Sequence, residues 1–584
     1  MNSFLKIFLA CIAALFAFTL LTFFMLFGLV SGLAVPEKTK TGANAVLVID
    51  LSQHFPEIEQ RNFLASFSSA DEYDVPSVYN VVRLIRHAKN DPDIKGIYLQ
   101  CENNGNGFAA SEEIRNALND FRGSRRFIIA YGDVIGQDAY RVANVANKVY
   151  CNPKGGLEWR GFGVTMAFVK GTLEKLEIQP QIFYAGKFKS ATEPFREKQM
   201  TDANRLQTSE LLGDLYDQFL IQTSKARGID TASLRRLANQ NTIQFANDAL
   251  QAKLVDGLYY DDQVKEEIRN LVGASQLDAV NYIPVGKYAR AVSYKESGAK
   301  DIAVIYAEGD IIDGKGQKGQ IGSEEYRRMI RRVRLDKNIH AIVLRINSGG
   351  GSSLASENIW RELTLARKEK PVVVSFGDVA ASGAYYVSCN ADTIFTQPNT
   401  ITGSIGVFAL IPNLQKFFNN KLGVTFDEVN TGPESAQLTV TRPLTDMQKR
   451  FIQAQVDTIY HDFKSRVAEG RKISMEFTDS IGQGRVWSGN RAIKIGLADR
   501  LGGLKDALDC AARMAKISDY SVKEYPGQRG FLEEFLNNYK NVSHVNLLKQ
   551  HLNAEQLQTL TIMERIKQMT GTIQSRIPFD LIFR

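Results

Sequence analysis

Residues 83–100, RLIRHAKNDPDIKGIYLQ, return 245 positions later as RMIRRVRLDKNIHAIVLR (328–345). The same interval carries AASEEIRNAL (109–118) onto LASENIWREL (354–363) and FIIAYGDV (127–134) onto VVVSFGDV (372–379), with no gap. Further on, Pro153 meets Pro398. Before these blocks AVLVIDL (45–51) matches IAVIYAEG (302–309), and after them LVDGLYYDDQVKEEI (254–268) matches GLADRLGGLKDAL (496–508). Chance does not sustain such agreement. The chain is two copies of one domain in tandem, joined near 285–300, and a length of 584 residues is in any case too great for one ordinary core.

Each copy alternates short apolar runs with helical patterns. KGIYLQ, FIIAY, HAIVLR and VVVSF read as strands covered on both faces. ASENIWRELTLARKE reads as an amphipathic helix between two of them. Strand, helix, strand repeated implies right-handed crossovers and parallel sheet, so the class is α/β. The boundaries predicted are 42–290 for the first repeat and 300–525 for the second. A C-terminal extension follows over 526–584, with helical periodicity in FLEEFLNNYKNVSHVNLLKQHL and no evident chemistry.

FLKIFLACIAALFAFTLLTFFMLFGLVSGLAV (4–35) is nearly unbroken apolar sequence with Lys6 its only charge. It exceeds both the span of a bilayer, about 20 residues, and a cleaved signal core of about 7–15, so a retained transmembrane anchor is expected. Lysines on both flanks leave its orientation weakly determined. The whole chain carries 71 basic against 64 acidic residues, a net +7 spread thinly. RRMIRRVR (327–334) reads as the solvated face of a helix, and nothing argues for nucleic acid. Cys11, Cys101, Cys151, Cys389 and Cys510 lack metal-ligand spacing, so neither a metal nor a cofactor is expected.

Two stretches of the second copy can carry chemistry. NSGGGSSLASENIW (347–360) puts glycines between a strand and a helix, leaving backbone N–H groups uncovered for an oxyanion or phosphate. The Lys-Ser/Thr ending of a P-loop is missing, which weakens the phosphate reading. In VVVSFGDVAASGAYYVSCNADTIF (372–395), Ser382 follows a strand and opens an apparent helix. Such a serine also suits an N-cap or a packing position. As a nucleophile it needs a base, and none of the histidines at 54, 87, 340, 461, 544 and 551 lies near it in sequence.

RINSGGGS, GDVAASGAYY and TITGSIGV (400–407), in this order, resemble the signature of the signal peptide peptidase A (protease IV) family, serine peptidase family S49, in its long tandem-domain form. The resemblance runs from the apolar N-terminus through both repeats. One departure is Gly349, where the family usually has proline. The resemblance implies two Clp protease/crotonase-like domains and a Ser-Lys dyad whose lysine comes from the first repeat. Ser382 would be the nucleophile, with oxyanion donors at Gly383 and at Gly350 or Gly351. The lysine falls in YAGKFKSATEPF (184–195), on Lys189. Spacing alone does not separate it from Lys187, whereas the KSA-EPF match favours Lys189. Ser404 would orient the lysine. The resemblance further implies signal peptides and other apolar peptides as substrates. It also implies a homotetramer on the periplasmic side of the bacterial inner membrane.

The repeat offers a check independent of the family. Gln137 stands where the first copy would need its serine, and VNTGPESAQ (429–437) holds no lysine where the second would need its base. Each copy lacks what the other has, as one site split between domains requires. For Lys189 to act as base, burial must lower its pKa from about 10.4 by roughly 3, a bias of about 4 kcal/mol. The competing expectations are a catalytically silent membrane scaffold of the same fold and a crotonase-like acyl-CoA enzyme. The latter needs no serine at 382 and no anchor.

Overall fold

The structure, a computed structural model, describes residues 2–33, 40–59, 75–432, 435, 438–527 and 572–577. The first helix, Asn2–Leu33, is long and apolar enough over Phe4–Thr22 to cross a membrane, and none of that window is buried against the rest of the protein.

The two copies build the same central sheet, strand for strand. In the first, strands 257–258, 148–157, 127–135, 94–100, 45–50 and 281–284 lie side by side in that order, all parallel. In the second the order is 500–501, 393–396, 372–381, 339–348, 300–308 and 520–525, again parallel. The central strands are valine- and isoleucine-rich because helices cover both faces. Val343, Val373 and Val374 have no exposed surface, nor do Leu99 and Ile128 in the first copy. The long helices Asp202–Arg227 and Asp446–Arg471 also correspond. Each starts at a threonine, Thr201 or Thr445, whose hydroxyl accepts the backbone N–H three residues on, that of Asn204 or Gln448. The expected α/β tandem is the fold observed. RRMIRRVR lies on the helix Ser323–Leu335, which buries Tyr326, Ile330 and Val333 and turns its arginines outward toward Glu324, Glu362 and Glu369.

A third sheet joins the copies. Its order is 320–322, 310–312, 350–352, 573–576, 407–413 and 179–185, so its last strand comes from the first copy and pairs antiparallel with 407–413 of the second. Polar contacts reinforce the junction. Buried Arg345 reaches Glu57 at 2.8 and 3.0 Å and Glu113 at 2.7 Å. The Asp378 carboxylate accepts the N–H groups of Ala109 and Ala110 at 2.6 and 3.1 Å, capping a first-copy helix from the second copy.

The extension 526–584 was expected to be helical; the stretch 531–552 that suggested it lies outside the described residues, and farther along the extension Ile573–Arg576 is a strand. Four residues are too few for a stable helix, and strands on both sides satisfy their backbone groups. All five cysteines are free thiols.

Candidate active site

The edge strand Gln179–Ala185 ends at Gly186, whose φ of +109° turns the chain sharply toward the second copy. A Cβ at that position would meet the Gln483 carbonyl carbon at 2.5 Å, so the turn packs backbone on backbone. Phe188 N–H donates to Gln483 O at 2.7 Å, and Gln207 bridges the same turn to Val486 N–H. These contacts hold Lys189 pointing inward. Lys187, in the same turn rather than on a strand, is exposed beside the Phe188 ring.

The second copy delivers its serine from the strand Val372–Ala381. Ser382 has φ +55° and ψ −113°, a conformation costly for a side chain with a Cβ. Its N–H donates to Gly403 O at 2.8 Å, and the helix Gly383–Ser388 begins immediately after. That helix has only six residues, shorter than the sequence pattern suggested, so its dipole contributes little. What sets the hydroxyl is the strained strand-to-helix turn.

The two side chains meet. Lys189 Nζ lies 3.0 Å from Ser382 Oγ, 3.1 Å from Ser404 Oγ and 3.3 Å from the Ser404 carbonyl. Lys189 is 1% exposed, and Ser382 and Ser404 are fully buried. Burial drives the Lys189 pKa well below the usual lysine range, and among the described residues no carboxylate beside it restores the charge. The nearest acid in sequence, Glu193, is held by Thr201 and Asn204. A neutral amine has two N–H groups and one lone pair. The two Ser404 oxygens can take the N–H groups, leaving the lone pair for the Ser382 hydroxyl.

The glycine loop lies across from the serine. Gly350 has φ +99°, and a Cβ there would sit 2.1 Å from the Ser575 carbonyl oxygen and 2.7 Å from the Gly383 nitrogen. Only glycine leaves this space to another backbone. Gly351 follows in the same strand, Gly350–Ser352. In the first copy Gln137 is a packing residue: its amide oxygen accepts from Arg160 and Gly161 N–H groups, and its nitrogen donates to Gly161 O. Residues 433–434 and 436–437, part of the lysine-free stretch of the second copy, lie outside the described residues. Sequence reasoning missed the strand Ile573–Arg576, which pairs with both Gly350–Ser352 and Phe408–Ala409. Among the described residues it has no counterpart in the first copy, and no motif betrays it.

Comparison with known families decides the class. The model for peptidase family S49 matches twice, at residues 121–275 and 364–518. The chain belongs to peptidase family S49. The first match holds Lys189 and the second holds Ser382 and Ser404. This S49 chain is similar to Protease 4 of Salmonella typhi, at 35% identity over 80% of this chain and 76% of that one. It is also similar to Protease 4 of Haemophilus influenzae, at 31% identity over 76% and 75%. A putative signal peptide peptidase SppA of Enterococcus faecium is 31% identical over 47% of this chain and 80% of its own. Among solved structures, ClpP1 from Listeria monocytogenes matches 35% of this chain and 94% of its own, at 16% identity and a TM-score of 0.24. The S49 chain is therefore a serine peptidase, built as two tandem domains.

Proposed function

We propose that this serine peptidase works through a Ser382–Lys189 dyad assembled from both repeats, anchored in a membrane and degrading cleaved signal peptides and other apolar peptides. The observation that carries the reading is the 3.0 Å approach of a buried lysine amine to a buried serine hydroxyl. In this mechanism neutral Lys189 takes the Ser382 proton as Oγ attacks the peptide carbonyl. The oxyanion is received by the N–H of Gly383 and that of Gly350 or Gly351, each such donor lowering the barrier by about 3–4 kcal/mol. Lys189 then protonates the leaving amine, and water resolves the acyl-enzyme. Ser404 holds the amine so that its lone pair faces the serine.

The apolar helix Asn2–Leu33 supports the anchor. A peptidase tethered at the bilayer meets apolar peptides where they concentrate. The placement of both repeats on the periplasmic side of an inner membrane, and assembly as a homotetramer, belong to the same reading and rest on the family resemblance. The test compares hydrolysis of an apolar peptide by the wild type, Ser382→Ala and Lys189→Ala. Each variant is expected to lose roughly 10³-fold or more in kcat. A full rate in either variant overturns the assignment, and a wild type without activity favours the silent scaffold.

A further inference from the structure

The strand Ile573–Arg576 runs directly beside the glycine loop and the residue after Ser382. It is inserted between Gly350–Ser352 on one side and Val407–Asn413 on the other, antiparallel to both. Extended peptides commonly bind by adding a strand in this way. The register identifies the bond presented. Ile577 N–H donates to Gly349 O at 2.9 Å, and the pairing continues through Arg576 opposite Gly350 to Ser575 opposite Gly351. Hydrogen-bonded pairs alternate along an antiparallel ladder, so the next such pair is Gly351 with Ser575, and the Gly351 N–H faces the Ser575 carbonyl. The same carbonyl oxygen lies 2.1 Å from the position a Gly350 Cβ would take and 3.0 Å from that of Gly383, the residue after the nucleophile. Among the carbonyls of this strand, that of Ser575 is the one turned into the glycine cradle beside Ser382.

The side chains are also received. Ser575 is fully buried, its Oγ 3.0 Å from Ser353 Oγ, and Arg576 pairs with Asp310 at 2.6 Å. Gln574 is 5% exposed. This is a seated segment, small at the residue before the bond and cationic at the one after it.

We propose that the Ser575–Arg576 bond is a self-cleavage site, and that the strand, until it leaves, competes with added peptide for the groove. The proposal rests on the Ser382–Lys189 reading. Ser382 Oγ bonds to the Ser575 carbonyl carbon, and the bond from that carbon to the Arg576 nitrogen breaks. The Ser382 proton passes through Lys189 to that nitrogen, which leaves as an amine. Water then hydrolyses the ester, giving a carboxylate at Ser575 and restoring Ser382. No further reactant is needed.

The test follows full-length wild type and Ser382→Ala in detergent micelles by peptide-mapping mass spectrometry, with hydrolysis of an added apolar peptide measured in parallel. Wild type is expected to gain a new end at Ser575 with a half-time unchanged on tenfold dilution, as an intramolecular step requires, while Ser382→Ala stays intact. Ser575→Trp, too large for the space beside Ser353, is expected to abolish cleavage there. It is also expected to lower the apparent KM for added peptide by about tenfold, as for a site otherwise nine-tenths occupied. A wild type that hydrolyses added peptide yet keeps its Ser575–Arg576 bond overturns the proposal and leaves the dyad standing. If neither the added peptide nor this bond is cut, both readings fall together.

Discussion

On the proposed dyad, Lys189 is the residue on which the chemistry turns, because burial works against its charged form. Three oxygens surround the amine and burial is the cause of its lowered pKa. The sign of the pH dependence follows. Only the neutral amine accepts a proton, so kcat/KM should rise with pH along a limb set by the depressed Lys189 pKa and level off well below the usual lysine range. A limb near 10.4, the value of lysine in water, would show that the amine is not the base. Stability carries the same signature. The unfolded chain binds a proton at Lys189 that the folded chain does not. Stability therefore gains a component that rises with pH between the depressed and the usual lysine pKa, and Lys189→Met should remove it from urea titrations. Ser404→Ala withdraws one of the oxygens orienting the amine and should lower kcat by about 10-fold, with KM little changed. Ser382 and Lys189 were named in the sequence through the family resemblance, the lysine by its KSA-EPF match, and the asymmetry between the copies served as a separate check. Gln137 occupies the serine's place in the first copy, and its amide fills a structural role there. The strained φ of Ser382 was not legible, since AASGAYY states composition and not torsion.

Strands and helices were legible where their pattern was local. Val372–Ala381 and Ile339–Ser348 are buried on both faces and read as such from their valines and isoleucines. Ile573–Arg576 could not be read, because its conformation comes from the two strands it enters and not from its own four residues. The cap on the helix Phe108–Arg122 was equally hidden. Its N-cap residue is Gly107, which has no side chain to offer, and the missing acceptor arrives from Asp378 of the other copy. A carboxylate there also faces the positive end of a fifteen-residue helix. Asp378→Ala should therefore destabilise the protein by about 1–2 kcal/mol, read as a lower urea midpoint with an unchanged slope. An unaltered midpoint would show that the contact between copies carries no weight.

At the scale of the molecule, the proposed dyad makes duplication a division of labour. The first copy keeps the parallel sheet and gives a lysine across the third sheet; the second keeps the serine and the glycine loop. Both groups come from one chain, so each chain should hold one complete site whatever its assembly. This is open to a mixing experiment. Ser382→Ala retains the base and Lys189→Ala retains the nucleophile. If sites formed between chains, co-expressing the two variants would rebuild wild-type pairs, and random pairing would restore about one quarter of the sites. Within one chain no such pair can arise, because Gln179–Ala185 pairs residue for residue with Val407–Asn413 of the same polypeptide immediately before the lysine turn. Variants co-expressed in equal amounts and purified without selecting mixed assemblies should hydrolyse peptide no faster than either alone. A serine-reactive phosphonate should label wild type at one residue per chain, Ser382. Activity near a quarter of wild type in the mixed preparation would mean that the lysine strand crosses between chains.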